Sequence, residues 1–243
     1  MLYFLEVIMS EQSKLDFDSI LTTSADDIKS SLAMLFQSIE ELDLADNLTP
    51  KQYQAVADLH YQTSRIKSSL MQLLSLHLDE QKQLSINIEE HSVAQMLQEV
   101  MDRNRLYLNS HHVKVELEVD AELSAYFDQE LVTCLMADIF VSALRYTDKS
   151  VTLRAFNDQQ YINIQVEDDG EGYPEHMLAI NQHSDLQFDT SNGRSGLEIL
   201  FAQKIAAAHK NEQVQGDILL ENKTEISGNL FTLRIPNAND TTI

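Results

Sequence analysis

Val166-Glu167-Asp168-Asp169-Gly170-Glu171-Gly172-Tyr173-Pro174 is an apolar strand that empties into an acidic, glycine-spaced turn. A carboxylate at the buried edge of such a turn, with glycines that let the backbone come close, can grip a flat ring bearing an amine. Acidic glycine-rich turns also close hairpins and calcium loops, so the flanking chain has to decide. Upstream, Asp128-Gln129-Glu130-Leu131 opens an apolar helical run through Leu135, Ile139, Phe140 and Leu144 to Thr147. Downstream, Ser195-Gly196-Leu197-Glu198-Ile199 starts another helix that ends near His209, and Gly228 to Pro236 reads as a last strand.

This order of four elements resembles the ATP-binding domain of sensor histidine kinases, the Bergerat fold shared with gyrase and heat-shock chaperone ATPases. The resemblance implies an α/β two-layer sandwich in which Asp168 accepts the adenine amine and Gly170 and Gly172 let the backbone close over the base. Asn229 then stands where the family often has a threonine, Arg145 matches a basic phosphate contact, and Tyr146 matches the residue that lies along the nucleotide.

The phosphate half departs from the family pattern. Ser142 replaces the asparagine that holds Mg²⁺, and a hydroxyl is a shorter and weaker hard-cation ligand. Asp138, one helical turn earlier, sits where gyrase-type relatives carry a water-activating glutamate; with Ser142 beside it, a general base is not expected. The helix beginning at Gly196 should offer free N–H groups and a positive dipole end to phosphates. Its loop reads Gly193-Arg194-Ser195-Gly196-Leu197-Glu198, so Glu198 replaces the family's last glycine. A carboxylate about 4 Å from a phosphate oxygen costs roughly 1–4 kcal/mol, between water-like and surface-like dielectric. The segment from Pro174 to Gly196 is short for a lid and keeps only Phe188 of the usual aromatic block. Mg-ATP is therefore expected to bind weakly or not at all, and no cofactor to be required.

The chain has 243 residues, is 43% hydrophobic, and carries a formal net charge of −22. That is ample material for two unequal cores. The charge argues against nucleic acid or an anionic membrane face as partner. Cys134 is the only cysteine, so no intramolecular disulfide forms and a reducing, cytoplasmic setting is the expectation. The apolar stretch Met1 to Ile8 lacks a basic flank and is too short to span a bilayer. Because Met9-Ser10-Glu11-Gln12 reads like an ordinary soluble start, Met9 is expected to be the natural initiator.

In the front third, Leu21, Ala25, Ile28, Leu32, Leu35, Ile39 and Leu42 recur at alternating steps of four and three, an a/d heptad seam. Thr49-Pro50-Lys51-Gln52 then offers an N-cap, a proline at the first helical position and a glutamine able to close a capping box. A second seam follows at Val56, Leu59, Thr63, Ile66, Leu70, Leu73 and His77. The two segments are expected to form an antiparallel helical hairpin. Two isolated helices have too little core, so a second hairpin should complete a four-helix bundle in a homodimer.

The hairpin resembles the dimerisation and phosphotransfer region of histidine kinases, with Asp26-Asp27-Ile28-Lys29-Ser30-Ser31-Leu32 in place of that family's H-box. Asp26 occupies the position of the phosphoacceptor histidine, and the first histidine in the chain is His60. Aspartate cannot act as the neutral imidazole nucleophile. His60, if exposed, could accept phosphate; a place on a solvated or inter-helix face is the alternative. His77, His111 and His112 show no spacing that suggests a metal cage.

The expected organisation is a helical dimerisation domain over 13–84, a linker over 85–91, and the ATPase-like domain over 92–237, an α+β fold with a mixed, mainly antiparallel sheet. Within it, a helix capped near Ser92 should run to about Asn109, and strands are expected at Val113–Val119, Val151–Phe156 and Tyr161–Val166. Three functions compete. The chain is a non-catalytic pseudokinase or adaptor that binds a response-regulator receiver domain or a histidine kinase and controls phosphoryl flow. Alternatively, Asp27 and Ser30 orient water as a response-regulator phosphatase, in the manner of a family motif with an acid followed three residues later by Thr or Asn. The third is an ATP-dependent histidine kinase with a divergent site.

Overall fold

The computed structural model describes residues 23–42, 48–80, 85–179, 196–212, 214–223 and 227–237. The sequence readings at Met9, Leu21, Phe188 and Arg194 lie outside the described residues. The chain divides into two compact units, Met1–Leu74 and Ser75–Ile243.

In the first unit a helix over 23–42 (α1) precedes α2, Pro50–Glu80. The capping box forms as its sequence predicts: Gln52 N–H donates to Thr49 Oγ1, while Thr49 N–H donates to Gln52 Oε1 at 2.9 Å. The heptad seam separates into two stripes. Ala25, Leu32 and Ile39 on α1, with Val56 and Thr63 on α2, are buried. Ile28, Leu35 and Leu42, and Leu59, Ile66 and Leu73, each set seven residues apart, are exposed. His60 is not the exposed imidazole that phosphate acceptance requires. It is 7% exposed, its ring edge-on to Phe36 with centroids 5.1 Å apart.

The second unit is built on a five-stranded mixed sheet of β2 (Lys114–Val119), β4 (Ser150–Asn157), β5 (Tyr161–Asp168), β7 (Asn229–Pro236) and β6 (Asp217–Asn222), in that spatial order. Only the β2–β4 pair is parallel. Period-two patterning decides the layers: Val151, Leu153 and Ala155 on β4 and Ile162, Ile164 and Val166 on β5 face the core. Against that face lie α3 (Val93–Arg103), α5 (Gln129–Tyr146) and α7 (Gly196–Ala208). Helix α5 is apolar nearly all round because it packs against α3, α7 and the sheet at once. Asp128 caps it by accepting from Leu131 N–H at 2.9 Å.

Two expectations from the sequence do not hold. The helix capped by Ser92 does not run unbroken to Asn109: it stops at Asn104, and α4 (Arg105–His111) follows. The buried Asn104 side chain donates to Val100 O at 2.9 Å, a local bond that competes with the helical ladder. The stretch read as a linker supplies β1 (Glu89–Ser92), which pairs antiparallel with β3 (Ser124–Phe127), and neither was foreseen. Strand β6 was missed too. The short helix α6 (Glu175–Leu178) follows the glycine-spaced turn.

Candidate functional site

Asp168 is the last residue of β5, buried, and directly opposite Asn229 on β7. Its Oδ1 accepts from Gly170 N–H at 2.9 Å and from the Asn229 side-chain amide at 2.6 Å. The carboxylate is thus fixed by its own turn and by the neighbouring strand. Gly170 is required by sterics, since a Cβ there would sit 2.3 Å from the carbonyl oxygen of Tyr146. Gly172 is required by conformation, with φ at 96°.

The β6–β7 hairpin holds the turn in place. Asn222 accepts from Tyr173 N–H at 2.6 Å and donates to Tyr173 O at 2.9 Å, imitating a strand pair with its side chain. Ser227 donates to Gly170 O at 2.7 Å. On the other side, Asp169 gathers Thr147 Oγ1–H and the amides of Asp148, Lys149 and Ser150, pinning the loop after α5. Partial burial opposes its ionisation, but these hydrogen bonds outweigh burial and hold its carboxyl far below the usual carboxylate range.

A small open pocket lies between α5, the turn and α7. Among the described residues, Ile139, Ala143, Val166, Met177 and Ile199 give it apolar walls, and Ser142, Asp168, Tyr173 and Glu198 its polar ones. The structure thus brings Ser142, Asp168 and Glu198 to one cavity. Gly170 and Asn229 support Asp168 from behind, and Gly196 begins α7. Arg145 is not among those wall residues; its exposed guanidinium lies 5.4 Å from the centroid of the Tyr146 ring. Asp138 is buried on α5 and Cys134 is half-buried there.

Helix α7 is tied to α5 through His209. Its Nδ1 donates to Ile205 O at 2.7 Å, so Nε2 accepts from Asp128 N–H at 3.0 Å. Burial pushes its pKa down, which keeps this neutral tautomer. Asp128 Oδ2 in turn accepts from Asn87 N–H.

In the first unit, Asp26, Asp27 and Ser30 are exposed on α1 and Lys29 is half-buried. Ser30 Oγ–H donates back to Asp26 O, and Ser31 Oγ–H to Asp27 O, each at 2.9 Å. Among the described residues no group of His, Cys, Asp or Glu is arranged to hold a metal ion, and no helix is long and apolar enough to cross a membrane. Sequence reasoning missed Asn222, Ser227 and Asp169. Only Asp169 had a signal, as the second acid of the quoted turn.

Residues 127–239 match the family profile described as histidine kinase-, DNA gyrase B-, and HSP90-like ATPase. The second unit therefore carries a histidine kinase-type ATPase domain. The adaptive-response sensory kinase SasA of Crocosphaera subtropica is 26% identical over 211 residues, covering 82% of this chain and 55% of that protein. The virulence sensor histidine kinase PhoQ of Salmonella typhimurium is 22% identical over 217 residues, 88% of this chain and 44% of that one. The chain spans about half the length of the curated relatives it matches. The histidine kinase AdeS of Acinetobacter baumannii shares the fold with a TM-score of 0.56 at 17% identity, over 86% of this chain and 97% of that one. Full-length ShkA, solved with AMPPNP, superposes with a TM-score of 0.58 at 16% identity, over 90% of this chain and 46% of that chain.

Proposed function

We propose that this chain is a two-component signalling protein of histidine-kinase build that does not phosphorylate itself. It acts as a dimeric adaptor for a response-regulator receiver domain or a histidine kinase. The observation that carries this reading is the exposed Asp26 at the H-box position, with His60, the nearest histidine in sequence, enclosed against Phe36. The two helices pair as an antiparallel hairpin, and the exposed stripes Ile28, Leu35, Leu42 and Leu59, Ile66, Leu73 are covered by a second copy as a four-helix bundle. Likeness to SasA and PhoQ over more than four-fifths of the chain supports this organisation.

The receiver docks on the α1 surface at Asp26, Asp27, Lys29 and Ser30. With a carboxylate in place of the acceptor imidazole, like charge favours the unphosphorylated or metal-bound receiver over the phosphorylated one by roughly 1–4 kcal/mol before salt screening.

A phosphatase reading has its own support. Asp27 and Ser30 stand one turn apart, both exposed, and the Ser30 proton is already donated to Asp26 O, which leaves its oxygen lone pairs to accept from a water. Phosphorylated receiver should then lose phosphate several-fold faster with the protein present. Ser30→Ala abolishes that acceleration without abolishing binding, as followed by the decay of labelled receiver. Binding that survives Lys29→Glu and Ser30→Arg together places the docking surface elsewhere.

A further inference from the structure

We infer that His209 is an acid-sensitive clasp, which on protonation releases the segment leading into the second unit, and with it the β1–β3 ribbon, from α5 and α7.

The clasp is built from hydrogen bonds that meet at Asp128 and His209. A backbone N–H can only donate, so the 3.0 Å bond from Asp128 N–H requires a bare Nε2 on His209, and Nδ1 carries the proton given to Ile205 O at 2.7 Å. Asp128 Oδ2 accepts from Asn87 N–H at 2.8 Å, and Oδ1 from Leu131 N–H at 2.9 Å. The end of α7, the first turn of α5 and the entry segment are thereby tied together. Strand β1 begins shortly after Asn87, and β3 runs directly into Asp128, so both strands of the ribbon are anchored here.

Protonation breaks this arrangement. With Nδ1–H committed to Ile205 O, a proton taken from solvent can only sit on Nε2, where it meets the Asp128 N–H donor to donor. The Asp128 carboxylate is the charged group that acts on the ring. Both its oxygens are already engaged by Asn87 and Leu131, so turning to the imidazolium loosens both bonds. Helix α7 also packs on β6 and β7. Asp217 and Arg234 there alternate with the core residues Ile218 and Leu233, stand on the far face of the sheet and pair with each other. Glu130 on α5, Glu89 on β1, Glu221 on β6 and Lys204 and Lys210 on and after α7 are exposed, Asp138 and Arg145 lie further along α5, and His91 on β1 is half-buried against Phe127.

Burial lowers the pKa of the enclosed ring more than Ile205 O and Asp128 raise it. The clasp is therefore fully present above the ordinary imidazole value of about 6.5 and is lost as the pH falls from there toward the lower pKa of the fold. This window lies above the one set by Asp169.

Hydrogen–deuterium exchange on the full chain at pH 7 and pH 5, corrected for intrinsic rates, tests the clasp. Peptides covering Asn87, β1 and β3 should exchange at least about tenfold faster at pH 5, while β5 and β7 keep their protection. In His209→Gln, whose side-chain carbonyl accepts but does not titrate, that difference disappears; in His91→Gln it stays. If His209→Gln does not fold, side-chain NMR of the natural protein decides, since the His209 ring must titrate below the ordinary imidazole value and in step with the loss of ribbon protection. Equal exchange at both pH values, a difference that survives His209→Gln or vanishes in His91→Gln, or a ring that titrates without opening the ribbon each overturns the inference.

Discussion

Ile66→Glu combined with Leu73→Glu is expected to convert the protein from a dimer into a 27.7 kDa monomer at micromolar concentration. Both side chains are more than half exposed in the single chain, at 55% and 57%, so a carboxylate at either position meets solvent and the unit still folds. In the proposed four-helix bundle the same positions would be desolvated. Burying an ion costs several kcal/mol, and each dimer would carry four, so the dissociation constant rises by at least about a thousandfold. Sedimentation velocity separates the outcomes. A natural protein that sediments as a monomer removes the bundle, because six aliphatic side chains in two heptad stripes would then stand in water without cover.

Asp169→Ala should lower the stability of the ATPase-type unit by about 2–4 kcal/mol, since it strips the shared acceptor from the Thr147 hydroxyl and from three consecutive amides. Denaturant unfolding measures the loss. The same carboxylate predicts an acid limb. Its pKa in the fold lies well below its unfolded value near 4, so its contribution is fully present above pH 4 and is lost as the pH falls from there toward the folded pKa. In Asp169→Asn that part of the pH dependence disappears. A variant as stable as the natural protein at pH 7, with an unchanged acid limb, would contradict the role given to Asp169.

Elements whose burial is one-sided or complete were legible in the sequence. Helix α5 announces itself by Asp128 as a cap followed by a predominantly apolar run, and β4 and β5 by alternation of apolar and polar residues. The acid-glycine turn was legible because Gly170 and Gly172 answer to a close backbone approach and a positive φ, which no other residue type meets cheaply. Strands β1 and β3 were not, because each is only four residues long, too short for a periodic signal to stand out, and β1 is polar throughout. The break at Asn104 depends on one side chain choosing a local carbonyl, a choice settled by its burial and not by its neighbours in sequence.

The candidate site was legible by position and hidden in partnership. Steps of four and three placed both heptad stripes, yet nothing in the spacing said that Ala25, Leu32 and Ile39 would be buried within the unit while Ile28, Leu35 and Leu42 stayed outside. Asp168 and Glu198 could be named from their motifs, but that they line one cavity is a fact of how α7 packs on α5 and the sheet. Asn222, on a strand the sequence did not reveal, turned out to hold the turn as firmly as the glycines permit it.

The proposal that this is a transmitter without autophosphorylation is tested most directly by incubating the full chain with Mg-ATP labelled on the γ-phosphate and mapping any phosphate the protein retains. The account predicts no acid-labile label, with Asp26 at the acceptor position and His60 enclosed beside Phe36. Acid-labile phosphate on His60, or on any other histidine, would contradict it.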